Sequence, residues 1–126
     1  MRLSAARPRR QNSHRADADK RCEPYLKWIR TRRCYLTGRF HHACSGKVRA
    51  CHVGHAGDKG IGTKVSDKHV IPMCDGAHEE QHRIGWSSFE ALHRFNAVQV
   101  AGALWSSWIK DTTMGRIWQQ RRAEGL

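Results

Sequence analysis

A chain of 126 residues has room for one small domain with a modest core. Lys and Arg outnumber Asp and Glu by 23 to 11, a formal charge of +12, and such a field either draws polyanions or keeps a surface solvated. No apolar run approaches the ~20 residues of a membrane span and no hydrophobic signal core follows Met1, so the expectation is a cytoplasmic protein with no membrane partner.

The elements follow in chain order. Residues 1–22 read as a basic arm, disordered in isolation because almost no large apolar side chain is present. Residues 1–33 hold eleven basic and three acidic residues, a net +8, against twelve and eight, a net +4, over 34–126. The Arg-rich start also suits a mitochondrial presequence, but no amphipathic apolar face accompanies the arginines. Tyr25, Leu26, Trp28 and Ile29 predict a short amphipathic helix over 23–33. Residues 34–56 mix β-formers with Gly and His and predict a hairpin, with Lys47–Val53 as its clearest strand. AGDKGIGTKVSD is a Gly-rich loop with lysines, and HVIPM is a short apolar strand. A helix is predicted over 75–84, with Asp75 as N-cap and Gly85 as stop. Ser87 then caps a second helix carrying Phe89, Leu92, His93 and Phe95. A helix over 97–110 presents Val98, Val100, Ala101, Leu104, Trp105 and Trp108, and TMGRIWQQRRA closes the chain as a turn or helix. The tryptophans read as core in preference to base-stacking platforms.

The segment His78-Glu79-Glu80-Gln81-His82 is a literal H-E-x-x-H, the zinc-protease signature. In such enzymes both histidines bind zinc from one helix face, the Glu polarises water and a third ligand completes the site. Here Ser88 stands where the third histidine of the extended motif belongs, and Gly76 breaks the helix that should precede it. The protease reading therefore stays a minor alternative.

The surroundings fit another pattern. His52 follows the strand KVRAC, His69 precedes Cys74 in HVIPMC, and His78 and His82 open a helix. Residues 50–86, ACHVGHAGDKGIGTKVSDKHVIPMCDGAHEEQHRIGW, resemble the HNH endonuclease superfamily, and in particular its small phage and prophage members. The resemblance covers roughly residues 24–95. It implies an α+β fold: a small ββα-metal core over about 34–84 flanked by an N-terminal helix, together an HNH-like domain over 23–96, with a C-terminal helical extension over 97–126 expected to pack on it. It implies His52 as the general base, His69 at the middle position, usually Asn, and His78 and His82 as ligands of a catalytic Mg²⁺, Mn²⁺ or Zn²⁺. Cys51 stands where a further ligand of that metal is often found. An i,i+4 pair shares one helix face, so two imidazoles can converge on one cation. Lys59 and Lys64 of the Gly-rich loop, with Arg7, Arg9 and Arg10 of the arm, are the expected phosphate contacts, although the loop also reads as an ordinary flexible connection. Asp67 reads as a cap or turn residue.

Many members of that superfamily also hold a structural zinc between two C-x-x-C-like pairs. Here Cys34 is followed by Thr37, and Cys74 by Ala77, so each pair lacks its second ligand. Two outcomes stay open: buried free thiols, which this reading favours, or a rebuilt zinc site from Cys34, Cys74 and Cys44, with Cys51 as a further thiolate. His41, His42, His55 and His93 have no assigned partner. The function implied by the resemblance is a metal-dependent endonuclease hydrolysing DNA. The alternatives are a catalytically weak nucleic-acid-binding phage protein on the same scaffold, and the zinc protease.

Overall fold

The structure, a computed structural model, describes residues 20–56 and 65–125. The expected phosphate contacts Arg7, Arg9, Arg10, Lys59 and Lys64 lie outside the described residues. The fold is a small α+β arrangement in the order α1 (Glu23–Arg30), β1 (Val48–His52), β2 (Val70–Cys74), α2 (Asp75–His93), α3 (Ala97–Asp111) and α4 (Thr113–Ala123).

Helix α1 starts on Glu23 and Pro24 and carries Lys27 and Arg30 in its last turn, charges that complement the helix dipole, with proline where an N–H would be orphaned anyway. Tyr25 and Ile29, one turn apart, are fully buried. It stops three residues short of the expected end, because Thr31 folds its hydroxyl back onto the Trp28 carbonyl at 2.7 Å.

Strands β1 and β2 pair antiparallel, with Val48 opposite Cys74 and His52 opposite Val70. The predicted hairpin within 34–56 is therefore corrected: β1 finds its partner in the apolar segment after the Gly-rich loop, and residues 34–46 form turns. All five residues of β2 are buried. Pro72 is tolerated there because it turns its backbone away from β1; its carbonyl accepts from Tyr35 N–H at 2.8 Å, and no ladder N–H is lost. One side of the sheet meets Leu36, Ala77 and Phe89 through Cys51, Ile71 and Met73. The other carries Val70 and Ala50 against Tyr25, Ile29 and Trp108. There Tyr25 lies edge-on to Trp105 at 4.8 Å, and Trp105 edge-on to Trp118 at 5.1 Å. These three tryptophans pack in this second cluster, Trp108 fully buried and the other two partly.

Helix α2 consists of two helical segments that meet at Gly85, the expected stop. Gly85, at φ 84° and ψ 159°, is a kink between two helical segments in a backbone region that is essentially glycine-only. Across the kink, His93 Nε2 and Glu80 Oε1 meet at 2.7 Å, with the His93 side chain wholly buried. Asp75 is not the N-cap. Cys74 takes that place, its Sγ accepting from Ala77 N–H at 3.4 Å, which leaves the Asp75 carboxylate for Arg49 and for the backbone N–H of Lys47. Among the described residues no helix is long and apolar enough to cross a membrane.

Candidate metal centre

The turns between α1 and β1 bring three residues to the end of β2. Cys34 Sγ lies 3.8 Å from His42 Nε2, Cys44 Sγ 3.2 Å and Cys74 Sγ 3.4 Å from the same nitrogen. All four ligand atoms lie within 4.8 Å of one another. A tetrahedral ion with Zn–S bonds of ~2.3 Å and Zn–N bonds of ~2.0 Å needs its donors ~3.5–3.8 Å apart, so the spacing fits. So does the donor chemistry, since three thiolates and one imidazole select zinc over magnesium.

The rebuilt site keeps Cys34 and Cys74, adds Cys44 as the sequence allowed, and takes His42 in place of Cys51. The two residues that stand for lost ligands still serve it. Thr37 Oγ1 is 3.6 Å from Cys44 Sγ, and Ala77 offers its backbone N–H to Cys74. The missed signal was His42-Ala43-Cys44, an H-x-C eight residues after Cys34.

The four donors are not electrostatically alike. Burial pushes the Cys34 thiol up to about 11. At Cys74 burial also pushes upward, but the backbone N–H groups of Ser45 and Ala77 and the thiols of Cys34 and Cys44 outweigh it and hold the group below its ordinary value. The His42 imidazole is lowered, by burial first and by neighbouring His93 second, which favours the neutral, ligating form.

A second histidine group lies further along α2. His78 Nε2 and His82 Nε2 stand 3.0 Å apart, as cis ligands of one cation with ~2.0–2.1 Å bonds would. His78 is lowered by burial, then by His82 and Arg49. Among the described residues no third His, Cys, Asp or Glu joins the pair at that spacing. His52, at the end of β1, points Nε2 at Asp67 Oδ1 at 2.9 Å. Asp67 is no mere cap. Its second oxygen accepts the Cys22 N–H at 2.7 Å, and its side chain is 14% exposed against 42% for His52. Burial pushes the Asp67 carboxyl up, but the hydrogen bonds from His52 and Cys22 outweigh this and hold it below its ordinary value.

The remaining candidates are distributed as follows. His69 lies in the turn before β2, its N–H donating to the Ser66 carbonyl and its carbonyl accepting from Val53 N–H. Cys51 is buried between the sheet and α2, where burial pushes its thiol up to about 12; it packs as a small hydrophobe and stands outside the four-donor cluster. His55 approaches Glu90 at 3.5 Å.

A protein family described as "Protein of unknown function (DUF968)" matches residues 6–104, a span that includes all four cluster residues and the His78–His82 and His52–Asp67 pairs. No curated protein and no solved structure matches the chain.

Proposed function

The chain belongs to the DUF968 family, whose description leaves activity open, and from that premise we propose that it is a metal-dependent endonuclease of HNH type acting on DNA. The observation that carries the reading is the His78–His82 pair, its Nε2 atoms 3.0 Å apart, on the helix that directly follows two antiparallel strands, the first ending on His52. A ββα unit with one imidazole on a strand and two on the helix suits hydrolysis of a phosphodiester. His78 and His82 would hold a divalent ion, which when bound would supply charge to polarise the phosphate and to stabilise the leaving oxygen.

The residues of the chain do the rest. Asp67 accepts from His52 Nε2–H, which leaves Nδ1 to accept a proton from water. The resulting hydroxide bonds to phosphorus, the P–O bond to the leaving sugar oxygen breaks, and that oxygen takes a proton from solvent. Imidazole is the side chain suited to act as a general base near neutral pH. In this reading Cys34, His42, Cys44 and Cys74 would hold a structural zinc, which would tie the segment before β1 to the start of α2 and so keep strand and helix in their relative positions.

Incubating purified protein with plasmid DNA under Mg²⁺, Mn²⁺, Zn²⁺ or EDTA tests the reading. Nicking with a divalent ion, lost in His52→Ala, supports it; no cleavage with any ion overturns it. A second reading, a DNA-binding protein without catalysis, is favoured by the absence of a third ligand beside His78 and His82 among the described residues. It expects retained binding and no nicking. The protease reading has the same missing ligand against it, and Glu79→Gln, which removes the carboxylate a zinc protease needs, should leave nicking unchanged.

A further inference from the structure

Phe40 is 93% exposed, the most exposed large apolar side chain among the described residues. Its position explains how it can be held there. It lies between Cys34 and His42, in the turns whose ends carry the metal donors. The backbone on either side is tied down, Arg39 N–H to the Leu36 carbonyl at 2.9 Å and His42 N–H to the Arg39 carbonyl at 3.2 Å. The Arg39 guanidinium reaches the His93 carbonyl and the Tyr35 hydroxyl, each at 3.1 Å. The aromatic ring therefore projects from a frame fixed by side-chain and backbone bonds, and folding supplies no reason for an apolar ring in water.

Its neighbours describe what it suits. The His41 ring meets Phe40 edge-on at 4.8 Å. A cleft of about 450 Å³ beside them is lined by Arg39, Phe40, His41, Leu92, His93 and Arg94, with no carboxylate in the lining. Beyond His41 a separate cleft does include Glu79 and Glu80, but Glu80 is occupied by His93 and Arg83. An exposed aromatic ring on a cleft that Arg39 and Arg94 also line, on a chain of net charge +12, is complementary to a base with its phosphate. Arg39 keeps donors beyond its two bonds, since a guanidinium has five, and Arg94 is exposed.

We propose that Phe40 is a stacking platform for an unpaired nucleobase, with Arg39 and Arg94 holding the adjoining phosphate. The proposal shares the nucleic-acid partner of the nuclease reading and is independent of catalysis. The test is the binding of the zinc-loaded protein to a short fluorescent oligothymidine and to a duplex, without Mg²⁺ or Mn²⁺, over a range of salt. Phe40→Ala should weaken single-strand binding about tenfold at every salt concentration, because stacking releases no counterions, and Phe40→Trp should restore it. Arg94→Ala should instead flatten the slope of log K against log salt by about 0.7. Zinc content and circular dichroism should match the wild type, since the ring packs against no core residue. Unchanged single-strand affinity in Phe40→Ala overturns the proposal alone, leaving the ring to a protein partner; an equal loss on duplex also overturns it. A wild type that binds neither form overturns this proposal and the nuclease reading together.

Discussion

The His52–Asp67 pair is the finest-grained feature of the candidate catalytic side, and it makes separable predictions. Asp67 has its carboxyl held below its ordinary value by two donors that outweigh burial. Its contribution to stability is therefore full above the unfolded value of ~3.9 and is lost as pH falls through the lower folded value. Asp67→Asn should cost about 1.5–3 kcal/mol in urea unfolding at neutral pH, with the difference from wild type shrinking below about pH 3.9. If the carboxylate also orients the base, Asp67→Asn should lower kcat while leaving DNA affinity unchanged. His52→Ala should abolish cleavage, a loss on the order of 10²–10⁴-fold or more, with binding of DNA and metal kept. At this scale the sequence was a partial guide. The place of His52 at a strand end and the i,i+4 approach of His78 and His82 were legible in the sequence, whereas Asp67 and His42 were read as a turn residue and an unassigned histidine. The partner of Asp67 lies 15 residues away, where no local pattern points to it; His42 meets Cys74 across 32 residues, and its H-x-C spacing to Cys44 was the one local sign.

At the scale of elements, the metal cluster and the α2 kink carry the consequences. One zinc per chain is expected by metal analysis, held by Cys34, His42, Cys44 and Cys74. Thiol titration of the native protein should then detect none of these three cysteines, and chelation should release all three. Metal removal should lower the melting temperature, because a bound structural ion contributes directly to folding free energy, and Cys74→Ser should do the same. A protein that purifies without zinc and loses no stability with chelator overturns the cluster as a metal site. Gly85→Ala tests the kink. A Cβ there meets nothing within 4 Å, so any loss is conformational, and about 1–3 kcal/mol is expected from the positive φ. The boundaries of α1, α3 and α4 were legible to within a few residues because periodicity and capping are local. The strand pairing was not: β1 could pair with the turns before it or with HVIPM after it, and burial of all five β2 residues between the helices favours the second.

For the whole molecule the question is how an uneven charge of +12 is used. If the arginines of residues 1–20 contact phosphates, deleting them should weaken DNA binding for all sequences alike and flatten the salt dependence by about 0.9 per lost contact on duplex. Unchanged affinity and slope would assign the arm to solubility alone. The described chain enters the fold beside the candidate base: the Lys20 carbonyl accepts from Asp67 N–H and Cys22 N–H donates to the Asp67 carboxylate. An arm bound to DNA would therefore join the described fold beside His52.

By itself the sequence determined the helices, the apolar character of β2, the net positive charge and the i,i+4 histidine pair. Each of these is set by residues within a turn or two of one another, where periodicity, capping and side-chain chemistry act directly. Only the tertiary structure decided the strand partner, the Asp67 contact to His52, and the arrival of His42 beside Cys34, Cys44 and Cys74. Those depend on which distant segments a shared core forces together. A metal-ligating set is defined by convergence in space, and the turns after Cys34 reach Cys74 because β1 and β2 pair in a register that sets Val48 beside it.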